Sequence, residues 1–300
     1  MDKIPPHKQT KSAEHHYFPK SLQKLWRDED GWVSRVSSEG EIKRSKNGTF
    51  GHIRNAHHIK IADTPSVWDE SFEHFFQQAD SSFSFVCGAL ERLQAPELQP
   101  DRDWPQRFVP MSELEKIRPQ ISNCMASLVV RSPGLRNVIR VGVQAFRDDE
   151  VPDHLISVNQ KHLLETYAKA LAQRGKFVVL VSSGPEFYFG DGFLNNFHMG
   201  GPPAPHNPRC VVPILPNVAI AYHCPSSSAV SVDFMMASVG ADEVREINSY
   251  TMVYSGKHLF YRSNPTEIGP EFQIGQHRQF EYHSPDWLDH LYSRSAHQRF

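Results

Sequence analysis

The sequence predicts an α+β protein, and three observations predict it. A short helix and a hairpin open the chain, strongly periodic helical segments fill its middle, and runs of strand length rich in β-branched residues gather in its last third. The expected organisation is a poorly ordered tail over 1–12, an αββ unit over 13–62 and a main α+β domain over 63–300, packed together as one compact domain. In that main domain a central helical region precedes an antiparallel or mixed sheet with a closing helix. The length of 300 residues allows one large domain or two intimate ones. Its 39% hydrophobic and 11% aromatic content excludes collagen, coiled coil and bulk disorder.

Each element has its own local reason. Pro19 suits the first turn of a helix whose apolar Leu22, Leu25 and Trp26 fall at i, i+3 and i+4, ending near Asp28. Trp32 to Val36 reads as a strand, Ser37 to Gly40 as its turn and Glu41 to Lys43 as the returning strand. From Ser66 a helical stripe runs through Trp68, Phe72, Phe75, Phe76 and Ala79 and continues to Phe83, Val86, Cys87 and Leu90. Ala95 to Pro110, punctuated by prolines, reads as a surface connection. Ser112 and Glu115 form a capping box for a helix through about Val130, kinked or broken at Pro119. Ser132-Pro133 opens the next helix, through Phe146, and Asp153 to Arg174, closed by Gly175, forms a third. Phe177 to Val181 reads as a buried strand. Cys210 to Leu215 and Val218 to His223 read as two strands hinged at Pro216-Asn217. Ahead of these two strands Gly190 to Pro208 reads as a long irregular loop, and after them Ala241 to Tyr261 reads as the closing helix.

Charge and cysteine usage narrow the function classes. Lys plus Arg number 32 against 34 Asp plus Glu, a formal charge of −2, which disfavours a protein held to nucleic acid by net charge and leaves room for a local basic patch. No run reaches the roughly 18 apolar residues of a membrane span, and the first ten residues lack a signal-peptide apolar region, so a cytoplasmic protein with no membrane partner is expected. Cys87, Cys124, Cys210 and Cys224 are far apart and form no C-x-x-C pair; buried reduced thiols are expected.

The sharpest chemical signal is His15-His16-Tyr17-Phe18-Pro19-Lys20-Ser21, which resembles the start of the His-Asn-His nucleases. There one His activates a water while neighbouring side chains hold a divalent cation against the scissile phosphate. Arg54-Asn55-Ala56-His57-His58 could supply the remaining parts. The expected roles are His16 as base with Asn55 beside it, His15 and His58 as metal ligands, and Lys43, Arg44, Arg54 and Lys60 on the substrate phosphates. The implied cofactor is a divalent metal ion and the implied partner nucleic acid. The competing reading is that His15 and His16 pack at a helix N-terminus and the chain is a non-catalytic binding module, recognising a protein or nucleic acid through the loop from Gly190 to Pro208. No Gly-x-Gly-x-x-Gly or phosphate-loop motif occurs, so no nucleotide cofactor is expected. Glu186, Asp191, His198 and His206 fit no metal pattern, and Gly190-Asp191-Gly192 reads as a turn. Ser182 and Ser183 follow a strand without a nucleophile elbow, and Asn248 reads as a satisfied buried amide.

Several pieces in this order resemble the bacterial family catalogued as domain of unknown function 4238. They are His15-His16-Tyr17-x-Pro19 ahead of Leu25-Trp26, the turn Val181-Ser182-Ser183-Gly184-Pro185, Pro213-Ile214-Leu215-Pro216-Asn217, and Ile247-Asn248 followed by Tyr261-x-Ser263. Two positions depart from that pattern: Ser183 stands where the family carries a turn acid, and His57-His58 where it carries a Phe-Tyr pair. The resemblance implies a fold of this class, and phage defence or a mobile element as the setting.

Overall fold

The computed structural model describes residues 14–46, 49–54, 56–59, 70–99, 102, 104–197, 209–223, 232–263, 268 and 272. The expected tail 1–12, Trp68, Asn55, Lys60, His198, His206, Cys224 and the loop from 198 to 208 lie outside them. In chain order the elements begin with β1 (Glu14–His16), α1 (Lys20–Gln23) running into a 3-10 turn, β2 (Val33–Ser37), β3 (Ile42–Ser45), β4 (His52–Arg54), β5 (His58–Ile59) and β6 (Glu70–Ser71). The helical middle holds α2 (His74–Glu91), α3 (Trp104–Arg107), the short β7 (Val109–Pro110), α4 (Ser112–Glu115), α5 (Arg118–Arg131), α6 (Pro133–Gln144) and α7 (Asp153–Gln173). The last third holds β8 (Lys176–Ser182), β9 (Phe189–Gly190), β10 (Arg209–Leu215), β11 (Val218–His223), β12 (Phe234–Val239), α8 (Ala241–Tyr254) and β13 (His258–Tyr261). The fold is α+β.

A five-stranded mixed sheet runs in the order β10-β11-β8-β12-β7, with β8 and β12 parallel and the other neighbours antiparallel. β8, β11 and β12 are buried along nearly their whole length, as strands covered on both faces must be. A four-stranded antiparallel sheet, β3-β2-β13-β9, joins the N-terminal hairpin to the strand after α8. β1 pairs with β4, and β5 with β6, as separate two-stranded ribbons. An aromatic cluster links the sheets: Phe18 stacks on Phe189 at 4.0 Å, Trp26 meets both rings edge-on, and the Trp26 indole N–H donates to the Ile214 carbonyl at 3.2 Å. At the far end of the large sheet Arg118 donates to the Asp233 carboxylate and to the Gly175 carbonyl, and Lys176 also pairs with Asp233, at 2.8 Å. That network ties α5 to the strands on which it lies.

Four expectations need correction. The helix expected from Ser66 starts at His74, because the segment before it is used at 70–71 to pair with β5. The single helix expected from Ser112 is two. Met111, not Ser112, precedes α4 and makes no side-chain cap, while Pro119 sits in the first turn of α5, where its missing N–H costs nothing. The connection expected over 95–110 carries α3 and β7, and Arg107 is buried there against the Glu243 carboxylate, at 2.6 Å, and the Ser238 carbonyl. The closing helix stops at Tyr254, and 258–261 is strand, pairing with β2 and β9. Cys87, Cys124 and Cys210 are buried free thiols, as expected, and burial holds the Cys87 thiol up at about 12. Among the described residues no helix is long and apolar enough to cross a membrane.

Candidate metal centre

The β1–β4 ribbon sets the first part of the site. Its register places Glu14 opposite Arg54, His15 opposite Ile53 and His16 opposite His52. Successive side chains on a strand point to opposite faces. Accordingly His15 turns inward, 3% exposed, while the rings of His16 and His52 lie together outside, 5.6 Å apart. His52 Nε2 in turn lies 3.4 Å from a Glu14 carboxylate oxygen.

Beyond β4 the chain folds back under His15. The His57 N–H donates to His15 Nδ1 at 2.9 Å, and the two imidazoles stack with centroids 4.8 Å apart and planes 19° from parallel. The His57 carbonyl accepts the Phe72 N–H at 3.0 Å, which brings the start of α2 alongside. Glu73, at the N-cap of α2, then sets its carboxylate on His57 Nδ1. Phe72 and Phe76 close over the His57 ring at 5.2 and 4.5 Å, leaving it 1% exposed while Glu73 keeps contact with solvent. His15, His57 and Glu73 form a group that could hold a metal ion: one donor atom from each lies within 4.8 Å of the others.

The hydrogen bonds constrain how an ion would be held. His15 Nδ1 accepts an amide N–H, so in the neutral ring the proton sits on Nε2; His57 Nδ1, facing a carboxylate, carries its own proton. Metal-ligating lone pairs lie in the ring plane, and in two stacked rings they run side by side instead of converging on one point. An ion shared by both imidazoles therefore needs one ring to swing out of the stack.

The other expected site residues fall elsewhere. His58 enters β5, its backbone paired with Ser71, and its neighbour His57 is the residue that meets His15. His16 lies on the opposite face of β1 from His15, and its carbonyl accepts from Arg131 at 3.2 Å. Lys43 pairs with Glu41 at 2.8 Å on its own hairpin, and Arg44 pairs with Asp28 and lies over the Trp32 ring at 5.3 Å. Arg54 is exposed on β4. His57 and Glu73 are the two members of this group that the sequence reading did not assign as metal ligands. The doubled histidine at 57–58 is the signal that pointed nearby; nothing local marks Glu73.

The remaining polar candidates are structural. Asn248 accepts the Tyr188 N–H at 2.8 Å and donates to the Glu186 carbonyl at 2.9 Å, the satisfied buried amide expected. Ser182 Oγ donates to the Pro185 carbonyl at 2.6 Å and accepts the Gly184 N–H, holding the turn after β8. Asp191 is fully enclosed. Its two oxygens accept the N–H groups of Gly256, Lys257 and His258 at 2.7, 3.0 and 3.0 Å and so hold the turn between α8 and β13. Burial outweighs those donors and pushes its carboxyl up to about 6.

No protein-family model, curated protein or solved structure matches the chain. The fold and the group at its N-terminal edge thus define the class alone: an α+β protein with two buried histidines beside a half-buried glutamate.

Proposed function

We propose that the protein binds one divalent transition-metal ion at His57 and Glu73, the ion displacing the His57 Nδ1 proton to solvent and His15 becoming third ligand after its ring turns, and uses it to hydrolyse a phosphodiester in nucleic acid. The observation that carries this reading is the convergence of His15, His57 and Glu73, from a strand, a turn and a helix start, with donor atoms within 4.8 Å. Two imidazole donors favour zinc, iron, copper or nickel over magnesium and calcium, and the carboxylate beside them keeps manganese admissible. Held by these residues, such an ion would supply a water acidified enough to serve as nucleophile near neutral pH. Nucleic acid as substrate, and phage defence or a mobile element as the setting, rest on the resemblances of the N-terminal motif and the chain order.

A second reading rests on the hydrogen bond from the His57 N–H to His15 Nδ1 and on the stacked rings. In it the group is a staple fastening the β1–β4 ribbon to α2, and the chain is a non-catalytic module that binds a protein or nucleic acid through the loop from Gly190 to Pro208. Calorimetric titration of the wild type, His57→Ala and Glu73→Gln with manganese and with zinc separates the two. The metal reading predicts one ion per chain for the wild type and at least a tenfold loss of affinity in both variants, followed by manganese-dependent cleavage of DNA or RNA. Absence of binding, or unchanged affinity in the variants, supports the staple. An ion bound without any cleavage removes the hydrolase and keeps the metal site.

A further inference from the structure

We infer that Arg131 is the positioning residue of the His15–His57–Glu73 group, an inference that rests on the site described above but has a readout independent of the metal. Arg131 ends α5, and its side chain is fully buried. A buried guanidinium is costly unless its charge and its donors are all engaged. Here Nη1 donates to the His16 carbonyl at 3.2 Å, Nε donates to the Ser127 carbonyl at 3.3 Å, and Nη2 donates to Ser127 Oγ and pairs with the Asp80 carboxylate at 2.8 Å.

Ser127 lies on α5 itself; the other two partners belong to the elements that carry the ends of the site. His16 follows His15 on β1, and Asp80 lies on α2 two turns beyond Glu73. Arg131 Cζ lies over the Phe76 ring at 4.4 Å, Phe76 packs against His57 at 4.5 Å with the rings tilted by 39°, and His57 stacks on His15 at 4.8 Å. A continuous chain of contacts, Arg131, Phe76, His57 and His15, thus runs through the site. Arg131 grips it twice: through the face of Phe76 at one end and through the strand backbone beside His15 at the other. The consequence is that the separation of β1 from α2, and with it the reach from the imidazoles to the Glu73 carboxylate, is set by one fork of N–H groups. Lysine keeps the charge beside Asp80 but cannot span both His16 and Ser127, nor lie flat on Phe76.

The test is Arg131→Lys in the full chain, read by amide hydrogen exchange and by manganese and zinc titration. The inference predicts that exchange of the His57 amide accelerates at least tenfold relative to core amides such as Val179 and Ile220. It also predicts that metal affinity falls at least tenfold if the wild type binds. A His57 amide loosened in a protein whose wild type binds no ion supports the positioning role and removes the metal reading. A wild type that binds, with Arg131→Lys binding equally and the His57 amide unchanged relative to the core, overturns the inference and leaves the metal reading standing. Should Arg131→Lys fail to fold, Asp80→Asn and Phe76→Leu weaken the two grips separately. Unchanged His57 exchange in both would overturn the inference equally.

Discussion

Gly192→Ala is expected to abolish stable folding, or to lower the urea midpoint by an amount corresponding to about 3 kcal/mol or more. The backbone of Gly192 lies directly against the end of α8. A methyl group there would drive into the Tyr254 carbonyl, 2.7 Å from its carbon and 3.3 Å from the Ser255 nitrogen. These are backbone atoms of a helix terminus and cannot rotate aside, so the strap 190–192 and α8 would have to separate. Separation would pull Asp191 from the turn at 256–258 and strip β9 from β13, whose register holds Gly190 opposite Leu259. Gly142 is the control. It lies inside α6, and a methyl group there meets nothing within 4 Å, so Gly142→Ala should stabilise by about 0.5–1 kcal/mol through helix propensity alone. A Gly192→Ala protein with a wild-type midpoint would contradict this account of the 190–192 strap.

Asp191→Asn is expected to destabilise by about 2–4 kcal/mol, because one carboxylate oxygen becomes an amide nitrogen facing N–H donors, and a buried donor left unmet is expensive. The loss should also depend on pH. The Asp191 carboxyl, ordinarily 3.8, is held up at about 6, so the folded state keeps its proton more tightly than the unfolded chain does. Its contribution to stability is fully present below 3.8 and is lost as pH rises through about 6. His258 works in the opposite sense. Burial first, and then the Arg35 charge, lower it from 6.5 to about 4, so its contribution is present above 6.5 and is lost as pH falls through about 4. In the wild type these two trends offset each other. The difference between wild type and Asp191→Asn reports the carboxyl together with its coupling to His258, whose Nδ1 lies 3.8 Å from it. That gap should widen by about 2 kcal/mol between pH 7.5 and pH 4.5, measured by urea unfolding at each pH. A gap that stays flat would show that Asp191 titrates at its ordinary value, and one that narrows toward acid that its carboxyl is held below that value.

Much of the architecture is legible locally. The run Phe177 to Val181 is buried strand because its β-branched residues have no polar alternation to expose, and it pairs on both sides. Ser132 marks the start of α6 through its own chemistry: its hydroxyl accepts the Leu135 N–H at 3.2 Å. Gly175 marks the end of α7, with φ at +88°. Where local reading fails, the competing signal is long-range. β12, with Met-Met-Ala-Ser at its centre, has modest strand propensity of its own and is strand because β8 lies beside it. The end of α8 was hidden because only Ser255, Gly256 and Lys257 separate the helix from β13, and the carboxylate that shapes that turn comes from Asp191, far back in the chain.

The site was legible only by half, for the same reason. Histidines at 15–16 and 57–58 stand out as residue types, but the β1–β4 register decides that His15 faces inward, the turn beyond β4 brings His57 to it, and Glu73 joins them because the His57 carbonyl captures the start of α2. The basic residues of the hairpin looked available in the sequence; in the fold Lys43 and Arg44 pair with Glu41 and Asp28.

The most direct test of the central claim is a crystal structure of the full chain grown with zinc, with anomalous scattering recorded at the zinc edge. The account predicts one anomalous peak about 2.0–2.2 Å from a Glu73 oxygen and a His57 nitrogen, with the His15 ring turned out of the stack toward it. Density showing His15 and His57 still stacked, the His57 N–H still on His15 Nδ1 and no anomalous peak within ligand distance of Glu73 would contradict it.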